Sequence, residues 1–200
     1  MRERYEAPSQ YSWIVYAVAV MMVGGLAGYV ISVQGGPAGP GAATTSAPES
    51  AAAATPLVDE SELRAYREIL TRDPKNAQAA VKAGNLLYDA RRYVEAIPLY
   101  QQAFALTPTD INLSTDLGTA LWYAGRADEA LAQYEKSLAL DAAHAQTLFN
   151  VGIVRSDGKH DYRGAIAAWE RLLKSNPGYP DIPKVQSLLA GARENLKLRS

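Results

Sequence analysis

The sequence predicts an all-α chain in three zones: one N-terminal transmembrane helix, a disordered linker, and a solenoid of about three helix-turn-helix repeats with capping helices. Three observations predict it. An uninterrupted apolar run lies near the start, a stretch rich in Gly, Pro, Ala, Ser and Thr follows, and beyond it the same residues return every 34 positions. Gly84, Gly118 and Gly152 keep that period, and so do Tyr66, Tyr100 and Tyr134, Ala96 and Ala130, and Pro74 and Pro108. Self-similarity at one fixed period marks an architecture of stacked units.

The apolar run is "WIVYAVAVMMVGGLAGYVISV", Trp13–Val33, 21 residues without a charge. At 1.5 Å per residue a helix of that length spans about 31 Å, which matches a hydrocarbon core of about 30 Å. Tyr11, Trp13 and Tyr16 lie at its start, where interfacial aromatics belong. A cleaved signal peptide is the competing reading. Its apolar region runs to roughly 7–15 residues and ends at an A-x-A-like site; this run is longer, and "ISVQGGPAG" is a poor site. Arg2 and Arg4 precede the span, and no Lys or Arg follows until Arg64. The positive-inside rule therefore puts residues 1–12 in the cytoplasm as a short tail and the remainder outside, which in a bacterial inner membrane means the periplasm. Gly24 and Gly28 form a G-x-x-x-G, the spacing of a weak homodimer contact, although glycine is common in membrane helices for other reasons.

Residues 34–56, "QGGPAGPGAATTSAPESAAAATP", hold one charge and no large apolar side chain. Nothing there can bury a core, so this is a disordered tether. As a flexible coil its r.m.s. reach is about 25 Å.

Residues 57–200 form the repeat domain. An N-terminal helix falls in 57–75, where Asp59 and Glu62 make a D-x-x-E cap and Leu63, Tyr66 and Leu70 form the apolar stripe. Repeat one covers 77–110, repeat two 111–144 and repeat three 145–178. Gly84, Gly118 and Gly152 each cost about 1 kcal/mol as helix-interior glycines, a cost that close approach of a second helix explains. Ala96, Ala130 and Ala165 serve that contact from the other side, and Tyr100, Tyr134 and Trp169 fill the remaining space. Pro108 and Pro177 stop the second helices, while Pro98 falls near the limit of tolerance inside one. The short "AGR" and "DGK" stretches suit αα-hairpin turns. After Gly152 the register slips: Ala165, Trp169 and Pro177 fall 35 residues on, so "SDGKHDY" contains one extra residue. A last helix, 181–198, puts Val185, Leu188, Leu189, Ala192 and Leu196 on one stripe and caps the stack.

This pattern resembles the tetratricopeptide repeat. In "AQAAVKAGNLLYDARRYVEAIPLYQQAFALTPTD" the signature positions are Ala83–Gly84, Leu87, Tyr93, Ala96, Tyr100, Ala103 and Pro108. Repeat two supplies Leu117–Gly118, Leu121, Ala130, Tyr134 and Ser137, and repeat three Val151–Gly152, Tyr162, Ala165, Trp169, Leu172 and Pro177, with Arg155 where a large apolar residue is usual. The resemblance implies a right-handed solenoid whose first helices line a groove for a protein partner. By position that groove presents Gln78, Val81, Asn85, Tyr88, Asn112, Thr115, Thr119, Trp122, Gln146, Phe149 and Ile153. Some family members hold C-terminal carboxylates with Lys and Asn there; Asn85 is present, but Val81 and Thr115 stand at neighbouring positions and no groove lysine is evident. An apolar, aromatic groove suits an amphipathic helix or an extended peptide. The other reading is that Tyr88 and Trp122 pack on neighbouring helices.

Composition narrows function further. A formal net charge of −1 gives no electrostatic case for nucleic acid. The absence of cysteine removes disulfides, thiolate nucleophiles and thiolate-bound zinc. His144 and His160, the two histidines, fall in expected turns and read as solvated loop residues outside any metal spacing. No phosphate loop or nucleophile elbow is present. The expectation is therefore a protein without enzymatic activity or cofactor. Finally, "YRGAIAAWERLLKSNPG" followed by "VQSLLAGARENL" is similar to the last repeat and capping helix of periplasmic repeat proteins of bacterial cytochrome c maturation. That likeness implies a chaperone that holds unfolded apocytochrome for haem ligation. The chain differs from their membrane-anchored form in having one span and no long cytoplasmic loop. A scaffold or assembly subunit of an envelope complex is the alternative.

Overall fold

The computed structural model describes residues 58–199. The expected span Trp13–Val33 with Gly24 and Gly28, and the linker 34–56, lie outside them. Among the described residues no helix is long and apolar enough to cross a membrane. They form eight α-helices and no strand: α1 (Glu60–Arg72), α2 (Ala77–Asp89), α3 (Tyr93–Leu106), α4 (Ile111–Tyr123), α5 (Ala127–Leu140), α6 (Ala145–Ile153), α7 (Tyr162–Ser175) and α8 (Ile182–Lys197).

Local chemistry sets the boundaries. Asp59 caps α1, accepting from the Ser61 and Glu62 amides at 3.0 and 3.1 Å. Glu62 does not close the box; its carboxylate accepts from the Tyr66 hydroxyl at 3.1 Å. Asn76 and Asp110 cap α2 and α4 in the same way, and Asp161 and Asp181 cap α7 and α8. The second helices α3 and α5 lack a side-chain cap. In its place Arg92 and Arg126 form two-pronged pairs with Glu95 and Glu129, at 2.6–2.7 Å. Pro98 sits inside α3 and leaves the Val94 carbonyl without its ladder donor. Both residues face water, which can serve that carbonyl.

Helices α2 and α3, α4 and α5, and α6 and α7 pack as successive hairpins, with α1 on α2 and α8 on α7. Each hairpin closes through the glycine notch. A Cβ at Gly84 would lie 2.8 Å from Tyr100 Cε1 and one at Gly118 2.5 Å from Tyr134 Cε1; at Gly152 it would run into the Trp169 indole. Ala96, Ala130 and Ala165 are fully buried, as are Tyr134 and Trp169. One apolar cluster runs from Leu63 through Tyr134 to Val154, and a second gathers Leu148, Trp169, Leu172, Val185 and Leu189, with Leu138 packed on both.

The extra residue of repeat three is absorbed in the backbone at the end of a helix. In repeats one and two the turn closes with bonds from Arg92 N to Leu87 O and Arg126 N to Leu121 O, at 2.8 and 2.9 Å. In repeat three α6 runs on as a π-turn, Val154–Gly158, and the closing bond from Asp161 N to Arg155 O spans one residue more at 2.7 Å. "DGK" is thus no simple hairpin turn: Asp157 and Gly158 belong to the π-turn. Arg155 avoids the apolar layer because its guanidinium pairs with the Asp161 carboxylate at 2.7 Å. Lys159 reaches back to Asp128 at 2.6 Å.

Candidate partner-binding face

The tyrosines that fill the glycine notches turn their hydroxyls toward side chains of the first helices α2 and α4. The Tyr100 hydroxyl donates to Asn85 Oδ1 at 2.8 Å. Thr119 Oγ1 donates to the Thr115 carbonyl at 2.8 Å, so it receives the Tyr134 hydroxyl and Asn150 Nδ2, both at 3.1 Å. Gln146 Nε2 then donates to Asn150 Oδ1 at 3.1 Å. These bonds join α4 to α6 across a repeat boundary and hold the face in one register.

The expected groove residues distribute unevenly. Gln78, Asn85, Asn112 and Gln146 are exposed; Val81, Tyr88, Thr119, Trp122, Phe149 and Ile153 are half-buried; Thr115 is buried. The Trp122 ring packs over the π-turn, where a Cβ at Gly158 would lie 2.5 Å from its Cζ3 and 3.4 Å from the Ala127 methyl. Phe149 stacks on Tyr179 with centroids 6.3 Å apart, beneath Lys184 Nζ at 5.4 Å. Trp122 and Phe149 are therefore engaged by their own chain. What stays accessible is polar amide at the middle and tyrosine at one edge.

That edge is a trio formed by Tyr88, Tyr93 and Tyr123. Tyr93 and Tyr123 stack at 5.0 Å, and Tyr88 meets them edge-on at 5.2 and 6.0 Å. Burial, then the neighbouring phenols, pushes the Tyr88 hydroxyl far above its ordinary range. Tyr123 remains half-exposed beside a shallow depression of about 330 Å³ that Arg91, Tyr93 and Val94 also line. Asp116 projects from the middle of α4. Its charge bears on Tyr88, Tyr100 and Tyr134, which belong to three other helices. Desolvation by that surrounding protein raises its carboxyl, and Asp110 raises it further. Water reaches the side chain and moderates the shift, whose direction is upward.

Sequence reasoning missed the trio, because Tyr93 and Tyr123 come from a helix start and a helix end that only the fold brings together. It also missed a buried polar seam that runs through repeat two and reaches repeat three at Thr147. Gln133 Nε2 and Ser137 Oγ both donate to Ser114 Oγ at 2.8 Å. Thr115 donates to the Ile111 carbonyl at 2.8 Å and so accepts from Thr147, which in turn accepts from His144 Nδ1, each at 2.7 Å. That order makes Nδ1 of His144 the protonated nitrogen. His144, expected as a solvated loop residue, is instead a half-buried N-cap residue of α6, held by burial below its ordinary pKa. His160 is the exposed one, at a φ of 52°. A signal for the seam was present, since Ser114 and Ser137 stand 34 residues beyond Ala80 and Ala103.

Among the described residues no group of three or more His, Asp or Glu could hold a metal ion. The family model described as tetratricopeptide repeat matches residues 75–143. No curated protein matches the sequence. Among solved structures, a crystal structure of MamA protein is 24% identical, with a TM-score of 0.55 over 68% of this chain and 77% of that one. The Sgt2 TPR domain from Aspergillus fumigatus is 22% identical, with a TM-score of 0.55 over 60% of this chain and 79% of that one. The repeat domain thus has the tetratricopeptide-repeat fold, and residues 75–143 match that family's sequence pattern.

Proposed function

We propose that the repeat domain is a protein-binding module, held outside the cytoplasmic membrane by the span at residues 13–33, and that a segment of another protein docks on the α2–α4–α6 face. One observation carries the reading. Gln78, Asn85, Asn112 and Gln146 recur on the first helices, exposed, at positions where they seal no core. The half-buried Trp122 and Phe149 stand on two of the same helices, α4 and α6, packed against their own chain. The resemblance to repeat proteins of cytochrome c maturation makes an apocytochrome segment the finer candidate.

A photo-crosslinking residue placed at Asn112 or Gln146, compared with one at the outer position Gln101, tests this in intact membranes. Capture of one protein from Asn112 and Gln146 but not from Gln101 supports the face. Equal capture from all positions, or capture from Gln101 alone, contradicts it. An apocytochrome or a haem-ligation factor as the captured protein supports the chaperone reading, and a stoichiometric complex subunit supports the scaffold.

A further inference from the structure

The corner where repeats one and two meet has a closed counterpart in the same molecule, where repeats two and three meet. The bonds that close the turns set the register, matching Arg126 to Asp161 and Leu121 to Arg155. In that register Trp122 stands where Tyr88 does in the first corner, Ala127 where Tyr93 does, and Gly158 where Tyr123 does. Both trios are in contact: Trp122 and the Ala127 methyl lie against Gly158, and Tyr88 meets Tyr93 and Tyr123 edge-on. The outermost pair differs. In the second corner Lys159 reaches Asp128 at 2.6 Å and bridges the turn to the start of α5. In the first, the same two positions hold Ala124 and Val94, which form no bridge. That unbridged corner is the depression of about 330 Å³. Val94 is 71% exposed and Tyr123 45%, so two large apolar side chains share one rim, and a Cβ at Gly125 would meet nothing within 4 Å.

Charge tells what fits. Of the cations lining the depression, Arg92 is held by Glu95 and Glu60 at 2.6–2.7 Å. Arg91, exposed at the left-handed turn position, takes part in no ion pair among the described residues. Asp89 ends α2 and does not line the depression. The rim thus offers apolar surface and one uncommitted guanidinium, which matches an apolar side chain with a carboxylate beside it. We propose that the edge formed by the α2–α3 turn and the end of α4 seats an apolar side chain of a partner protein segment against Val94 and Tyr123, while Arg91 pairs with an Asp or Glu next to it. This rests on the protein-binding reading and deepens it. Tyr88 belongs both to the first-helix face and to this corner, so a segment lying on the face reaches the edge, and there it is apolar and acidic.

Short random peptides displayed on phage, panned on the full chain in detergent micelles, test it. Enriched peptides are synthesised and titrated against wild type, Val94→Asp/Ala124→Lys, Arg91→Gly and Asn112→Arg. The double variant transplants the Asp128–Lys159 bridge of the next corner. Arg91→Gly installs the next turn's own residue and removes the cation. The expected result is enrichment of an apolar residue close to Asp or Glu, with roughly tenfold weaker binding to the double variant and to Arg91→Gly. Arg91→Gly should melt no lower than wild type, so its lost affinity cannot come from unfolding. Enriched peptides without that pairing, or peptides that either edge variant binds as tightly as wild type, overturn the seat. If such peptides still lose affinity for Asn112→Arg, the α2–α4–α6 face survives and the edge falls. Losses at the edge with Asn112→Arg unchanged keep the edge and remove the face. If no variant weakens binding, or no peptide is enriched, both readings fall.

Discussion

Gly152, Gly118 and Gly84 illustrate how far single atoms decide this fold. A methyl added at any of them must displace a buried ring, most severely at Gly152 and least at Gly84. Gly191, inside α8, has nothing within 4 Å of the same position. Alanine gains about 1 kcal/mol of helix propensity at each site, against an overpacking cost of roughly 1–3 kcal/mol where the ring cannot yield. Thermal melts should therefore show Gly152→Ala and Gly118→Ala destabilised in that order and Gly191→Ala stabilised; equal shifts at all three would mean the notches are not tight. The turns supply a second residue-scale test. Gly125 takes φ 79°, and its counterparts Arg91 and His160 take 59° and 52°. A side chain pays steric strain there, so Arg91→Gly should raise stability by roughly 0.5–1 kcal/mol. Asp116 adds a pH dependence. Its folded carboxyl lies above the ordinary value of 3.8. The stability it contributes is then fully present below the ordinary carboxylate range and is lost as pH rises through the raised value. Asp116→Asn should raise the melting temperature at alkaline pH and change it little in acid; a uniform shift would assign the effect to something other than titration.

At the scale of elements, repeats one and two differ in chemistry where their shapes agree. Ala80, Leu99 and Ala103 of the first repeat become Ser114, Gln133 and Ser137 of the second. Ser114→Ala alone strands the Gln133 amide in the interior, and leaving such a group unsatisfied costs about 1–3 kcal/mol. Replacing Ser114, Gln133 and Ser137 together by Ala, Leu and Ala removes all partners at once, and denaturant melts should find that triple variant as stable as wild type or more so. A triple variant weaker than Ser114→Ala would show that the seam stabilises through more than satisfied bonds. The helices and the notch contacts were legible in the sequence because a fixed period places glycine, alanine and aromatic at known offsets. The one-residue slip after Gly152 was legible too, but its form was not: a loop can absorb a residue as readily as a widening helix, and only the bonds to Val154 and Arg155 decide. Trp122 was legible only as one of two alternatives, groove lining or packing on a neighbouring helix, because position alone speaks to its helix face. Its packing over Gly158 joins two repeats through that same unreadable turn.

For the whole molecule, the asymmetry of Arg2 and Arg4 against an uncharged outer flank leads us to expect the repeat domain outside the cytoplasm. Protease added to spheroplasts should remove it, and cleavage only after lysis would reverse the topology. The eight helices divide the work of the domain between sealing a core and presenting a surface. Helices α3, α5 and α7 supply the buried Tyr100, Tyr134 and Trp169, while α2, α4 and α6 supply the notches on one side and a row of accessible amides on the other. Amide hydrogen exchange of the full chain with and without its crosslinked partner tests that division most directly. Slowed exchange confined to α2, α4 and α6, centred on Asn85 to Thr119, is the expected result. Slowed exchange along α3, α5 and α7, with the first helices unchanged, would place the partner on the opposite side and contradict it.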